Sequence, residues 1–375
     1  MDVNLPLQLL GGLSAKMFMQ RHWQKKPLLV RQALSGFASS LDAAALFALA
    51  AREDVESRLV IRQATGAVDW KMRQGPFTRR ALPPLKRSGW TLLVQGVDLH
   101  VEDVHTLLNR FRFVPDARLD DLMISYASDG GGVGPHFDSY DVFLLQARGR
   151  RRWRISRQKD LSLVPDAPLK ILQNFEPEQE FDLEPGDMLY LPPRYAHDGV
   201  AVGECITYSI GFKAPARGDL AGEMLERLAH DAEEVAGDTL YRDAGQAAVE
   251  SPAAIPAGLN DFARAALQRV LQDPTALERA LGEYLTQPKP RVWFDAGSSD
   301  NLHGALRLDR KTRMMYDRQH VFINGESYRA GGRDAGLIHR LADDRELSAL
   351  DAGRISKQAR AMLSDWCEAG WIHAA

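Results

Sequence analysis

Three side chains in this chain of 375 residues have types and spacing suited to holding one metal ion. His136 and Asp138 stand one residue apart in GGGVGPHFDSYDVF, residues 130–143, and His197 follows about sixty residues later in EPGDMLYLPPRYAHDG, residues 184–199. On a β-strand, residues i and i+2 share a face, so His136 and Asp138 can reach the same ion from one side. A third ligand from a neighbouring strand completes two imidazoles and one carboxylate. That set leaves one face of an octahedral metal open, the arrangement of non-haem Fe(II) oxygenases.

Chance must be weighed first. With 10 histidines and 50 acidic residues in the chain, a His-x-Asp/Glu triplet is expected about once by accident, and there are two. His100-Val101-Glu102 lies among Asp98, Asp103 and His105, in a polar segment expected to be solvated surface. His136 instead follows a run of glycines and opens the apolar run at 140–145, and glycines ahead of a strand let a backbone or a ligand come close. The second stretch places Pro185-Gly186 where a tight turn wants them, then a short strand at 188–191 stopped by Pro192-Pro193. His197 is expected in a turn with Gly199, ahead of a strand at 205–212.

A basic hairpin is read at residues 148–154. Period two puts Arg150, Arg152 and Arg154 on one face and Arg151 on the other, with Trp153 and Ile155. The apolar pair marks the second face as interior. An interior arginine is costly unless it meets an anion. That anion is a bound carboxylate, which guanidinium grips in two-pronged fashion, or an internal acid such as Asp187.

At this point the residues resemble a family. HFD with the distal histidine, EPGDMLYLPP, HWQKKPLLV at 22–30, DDLMIS at 120–125, GGGVGPH, YDVF and GRRRWR at 149–154 look like the JmjC-type 2-oxoglutarate oxygenases of the cupin superfamily. The nearest likeness is to the bacterial ribosomal oxygenase group, whose members hydroxylate an arginine of a large-subunit ribosomal protein, and it covers most of the chain. The resemblance implies Fe(II) on His136, Asp138 and His197, with 2-oxoglutarate and dioxygen as co-substrates. It implies Arg151 against the far carboxylate of 2-oxoglutarate, and Ser125 and Thr207 along that pocket; Ser209 shares the face of Thr207 and is an equal candidate. Asp129 and Tyr140 are the candidates for guiding a cationic substrate side chain.

Composition and patterning set the frame. The chain is 45% hydrophobic and 26% charged, the texture of an ordinary globular protein, with a net charge of −3 that gives no pull toward nucleic acid. No apolar run approaches the ~20 residues of a membrane span. The first residues lack the basic start and apolar core of a signal peptide, and two distant cysteines support no disulfide framework, so a cytoplasmic location is expected. Helices are expected at 13–23, 41–52 and 103–113. Strands are expected at 28–30, 90–97 and 122–126, with paired strands at 55–62 and 68–72 joined through Thr65-Gly66. Short strands separated by turns predict a mainly β catalytic domain over 1–216, a double-stranded β-helix or jelly roll. Helical spacing over 218–235, 259–271 and 277–285 predicts a helical segment, 217–288, that the resemblance makes a homodimer interface. Strands at 305–308, 313–316 and 321–323, the Asn324-Gly325 turn, and helices at 336–342 and 356–368 predict a winged-helix-like α+β domain over 289–375. Its last helix sets Asp365 and Glu368 against Lys357 and Arg360, so nucleic-acid binding is not expected. Open alternatives are histidine or lysine hydroxylation, demethylation, a non-redox metal-binding cupin, or a winged-helix regulator with an idle barrel.

Overall fold

Alternating side chains sort the first half of the chain into a sheet with two dry faces. The computed structural model describes residues 2–62, 70–298 and 304–374, in two units, Met1–Ala214 and Pro215–Ala375. Nine strands build the first unit: β1 (Leu28–Val30), β2 (Ser57–Arg62), β3 (Trp70–Gln74), β4 (Trp90–Val94), β5 (Leu119–Ala127), β6 (Asp141–Ser156), β7 (Gln179–Leu183), β8 (Met188–Leu191) and β9 (Ala196–Phe212). They pair antiparallel in the order β1-β8-β6-β9-β5-β4-β2-β3, with β7 also on β6. Three helices accompany them: α1 (Ala15–Arg21), α2 (Ala43–Ala50) and α3 (Glu102–Asn109). Ser14 caps α1 by accepting from the Met17 amide, and Asp42 caps α2 by accepting from Ala45.

Period two decides what each face buries. Phe143, Leu145, Met188 and Tyr190 enter a large core shared with Phe18, Leu46 and Leu107 from the helices. Their neighbours Val142, Leu144, Leu189 and Leu191 enter a second core with Trp153 and Ile155. Even-numbered residues of β6 thus give way to odd-numbered ones on the same face. A bulge makes the switch, for the β6–β9 register shifts between Gln146 and Arg148 and again before Arg150. Gly149 sits there at φ +64, where an added Cβ would lie 2.1 Å from the Glu204 carbonyl oxygen.

Two expectations are corrected here. The stretch 148–154 is not a hairpin: β6 runs through it as one strand, bent by the bulge. Nor is His197 in a turn. Residues 196–200 pair with 152–156 of β6, so β9 already begins at Ala196. The paired strands near the N-terminus are β2 and β3; Thr65, Gly66 and Val68 lie outside the described residues.

The second unit opens with α4 (Arg217–His230), α5 (Ala232–Ala236), α6 (Ala257–Leu271) and α7 (Pro274–Thr286). The helix expected over 218–235 is broken at Asp231, whose carboxylate pairs with Arg279 of α7. Met224, Leu228, Val270, Ala276 and Ala280 form the core of these helices. There follow β10 (Leu306–Leu308), β11 (Met314–Tyr316), β12 (His320–Ile323), β13 (Glu326–Arg329), α8 (Gly332–Asp344), β14 (Glu346–Leu347), α9 (Ala349–Ala352), α10 (Lys357–Glu368) and β15 (Ile372–Ala374). They make two three-stranded sheets, β14-β10-β15 and β11-β12-β13. Asn324 and Gly325, both at positive φ, close the two-residue hairpin between β12 and β13 where the sequence predicts it. Among the described residues no helix is long and apolar enough to cross a membrane.

Candidate metal and anion site

His136 and His197 meet across the backbone. The His136 amide donates to the His197 carbonyl at 2.9 Å, and the reverse bond is 2.8 Å, an isolated antiparallel bridge ahead of β6. Their rings lie 4.2 Å apart, centroid to centroid. Asp138 reaches the same point, with its Oδ2 3.9 Å from His136 Nε2 and 3.6 Å from His197 Nε2. One donor atom from each of the three residues lies within 4.8 Å of the others, and among the described residues this is the one such group. Each Nδ1 faces a backbone carbonyl at 2.9 Å, that of Gly134 for His136 and that of Tyr195 for His197. A carbonyl only accepts, so each Nδ1 carries the proton and each Nε2 turns a lone pair toward the common point. Burial first, and then His136, lowers the pKa of His197 to about 4, which keeps it a neutral ligand. Two imidazoles and a carboxylate fit one face of a hexacoordinate divalent metal, leaving three positions for other ligands.

The glycines beside these histidines have a steric reason. Gly132 passes so close to β9 that an added Cβ would lie 2.6 Å from the Gly199 carbonyl oxygen. At Gly199 the added atom would lie 2.7 Å from Trp153 and 2.8 Å from Arg151 Nε. A side chain at Gly132 would push the two ligand segments apart, and one at Gly199 would displace Trp153 and Arg151 of β6.

Arg151 points inward, as period two along the chain predicts, and is only 3% exposed. Its Nη1 donates to Ser125 Oγ at 3.2 Å and to Thr207 Oγ1 at 3.4 Å, and its Nη2 to the Gly199 carbonyl at 3.0 Å. Nε finds no partner. No carboxylate is paired with it among the described residues: Asp187 is taken by Arg31 at 2.6 Å, and Asp198 by Arg154. Burial pulls its pKa down, opposed by Cys205 and Asp198, yet guanidinium stays charged. A buried cation held by neutral groups, with a spare N–H, fits an anionic ligand such as a carboxylate. Ser125 and Thr207 are cross-strand neighbours on β5 and β9, both buried. Ser209, one step further along the same face, is also buried. Arg150 and Arg152 lie on the opposite face with Asp182, and Arg154 with Asp198, as solvated or half-buried ion pairs.

Tyr140 stands near the metal ligands. The residue is 36% exposed, but its hydroxyl is buried beside Asp138 and Asp121, and burial with those two charges raises its pKa well above the usual value. Gly211 lies between them, its missing Cβ 3.9 Å from both Tyr140 and Asp121. Asp129 is exposed, and its carboxylate accepts from the Gly203 amide at 2.8 Å. His100 is not solvated as expected but largely covered, with Arg52 and Asp54 beside it. Sequence reading missed Asp121, although period two back from Ser125 reaches it. It also missed Gln146, because the bulge that follows breaks the alternation linking it to Arg151.

Comparison with known proteins adds the following. A family described as "JmjC domain" matches residues 106–220, and one described as "ROXA-like winged helix" matches 269–373. Ribosomal protein uL16 3-hydroxylase of Escherichia coli (strain K12) is 34% identical over 347 residues, covering 90% of each chain. The X-ray structure of E. coli YcfD superposes with a TM-score of 0.82 at 30% identity, over 95% of this chain and 96% of that one. A second YcfD structure, described as a ribosomal oxygenase in complex with cobalt and 2-oxoglutarate, gives 0.78 at 30% identity, over 95% and 96%.

Proposed function

The chain belongs to the JmjC-domain ribosomal oxygenases, and from that premise we propose that it hydroxylates an arginine side chain of ribosomal protein uL16. It is an Fe(II)- and 2-oxoglutarate-dependent ribosomal protein hydroxylase. One observation carries our assignment of parts: a buried cation without an acidic partner, bonded to the Gly199 carbonyl two residues from His197, accompanies a set of two imidazoles and one carboxylate.

In this reading His136, Asp138 and His197 hold the iron. Bound there, iron(II) supplies the oxidation, in which dioxygen and 2-oxoglutarate are consumed, succinate and carbon dioxide leave, and one oxygen atom enters a substrate C–H bond. Arg151 grips the far carboxylate of 2-oxoglutarate, with Ser125 and Thr207 holding the guanidinium in place and Ser209 further along the wall. The neighbouring apolar side chains Leu144, Trp153 and Leu189 keep that pocket dry, which strengthens the ion pair. At the open side, Tyr140 offers an aromatic face for a guanidinium. We place the acidic guide at Asp121, beside Tyr140, rather than at Asp129; each carboxylate also holds a backbone amide, that of Gly96 for Asp121 and of Gly203 for Asp129.

We assign residues 217–288 to dimerisation, because α6 leaves Leu259, Phe262 and the i, i+4 pair Leu267 and Leu271 exposed, while Val270 alone of its large side chains is buried. The winged-helix-like residues from 289 onward are read as structural or protein-docking: Arg360 of α10 turns its guanidinium to the Ala352 and Ile355 carbonyls of its own unit. A cytoplasmic location follows from a ribosomal substrate. The test is to incubate full-length protein with Fe(II), 2-oxoglutarate and uL16 peptides. Mass spectrometry should find a product heavier by one oxygen atom on an arginine. The same gain on histidine or lysine, or the loss of a methylene mass, would overturn the arginine assignment.

A further inference from the structure

Gln146 is fully buried at the bulge of β6, and neither metal nor substrate chemistry requires it there. Its side-chain amide has two jobs. Nε2 donates to the Arg148 carbonyl at 2.8 Å and to the Gly149 carbonyl at 3.3 Å, the two acceptors where the register slips. Oε1 accepts from Thr207 Oγ1 at 3.0 Å. Because carbonyls only accept, the amide cannot be turned the other way without losing both donated bonds.

That fixed amide sets the polarity of its neighbour. A threonine hydroxyl has one proton, and Gln146 Oε1 takes it. Thr207 Oγ1 is then left with lone pairs only, and it turns them to Arg151 Nη1. The backbone effect points the same way. Without the extra residue of the bulge, odd-numbered residues of β6 would continue on the face of Phe143 and Leu145, and Arg151 would face the large apolar core.

We infer that Gln146 is a positioning residue for 2-oxoglutarate: it pins the bulge that turns Arg151 inward and commits the Thr207 hydroxyl to accept from the guanidinium. This rests on the reading of Arg151 as the anchor for 2-oxoglutarate. Gln146 touches neither the metal ligands nor the substrate side, so its effect is confined to one co-substrate.

The test reads binding without turnover. Full-length protein is loaded with Mn(II), and 2-oxoglutarate is titrated in calorimetrically; Mn(II) affinity of the metal-free protein is measured separately. Gln146→Met should weaken 2-oxoglutarate binding about tenfold, the worth of about one buried hydrogen bond, and leave Mn(II) affinity within about twofold. Thr207→Val should weaken it in the same direction, and the double variant should lose less than the sum of the two, since one acts through the other. Unchanged 2-oxoglutarate affinity in Gln146→Met, an additive cycle, or an equal loss of Mn(II) affinity would overturn the inference. If Gln146→Met does not fold, Thr207→Ser and Thr207→Val decide: only Val should weaken binding, and equal affinities sink the proposal. Arg151→Met separates the two layers. Wild-type affinity in that variant overturns the anchor itself, whereas a loss there with none in Gln146→Met overturns only the positioning role.

Discussion

His197 shows how burial prepares a ligand. Its pKa falls from 6.5 to about 4, with burial the largest cause and His136 the next. Above pH 6.5 the folded and unfolded chains both hold it neutral, so it adds no pH dependence there. As pH drops below that value the unfolded chain takes up the proton first, and stability falls until about pH 4, where the folded chain follows. The metal-free protein should therefore melt at progressively lower temperature in that window. The loss is on the order of 3 kcal/mol. His197→Gln should flatten the slope between about pH 6.5 and about 5; an unchanged slope would show that other groups cause it. At the same scale, His136→Ala and Asp138→Ala should abolish product formation and weaken Mn(II) binding by at least about tenfold. Wild-type metal affinity in either variant would remove that residue from the ligand set.

The bulge of β6 decides more than any single side chain. Gly149 holds positive φ and almost touches Glu204, so Gly149→Ala must strain the backbone and displace β9 together. We expect a loss of about 2–4 kcal/mol in chemical denaturation, with weakened 2-oxoglutarate binding in whatever remains folded. A midpoint equal to wild type would mean that the bulge relaxes freely. This is also where the sequence stops being legible. The inward direction of Arg151 could be read from Trp153 and Ile155, because alternation is local and holds after the bulge. The continuity of β6 could not, since a glycine among arginines looks like a turn when its partner strand is unknown. His197 fails for the same reason. Nothing within 194–199 reveals that β6 extends far enough to pair with it, and pairing partners distant in sequence leave no local mark. By contrast β1, β8 and the Asn324-Gly325 hairpin were legible because prolines, glycines and short apolar runs bound them on the spot.

For the molecule as a whole, the exposed leucines of α6 bear most directly on assembly. Leu267 is 67% exposed and Leu271 50%, far from the usual fate of leucine. If residues 217–288 dimerise as proposed, Leu267→Glu with Leu271→Glu should lower the sedimenting mass to that of one chain at micromolar concentration while the β core keeps its circular dichroism. A wild-type protein that sediments as a monomer would refute the assignment of the helical segment. The backbone bridge between His136 and His197 has its own consequence. Because backbone hydrogen bonds join the two ligand segments, we expect the ion to be captured with little rearrangement of the chain and released without unfolding it. Dialysis against a chelator should return a native-like, refillable protein whose melting point drops only by mass action, unlike small domains that collapse when stripped of zinc. The cell could thus lose and restore activity with its iron supply, keeping the same molecules in service.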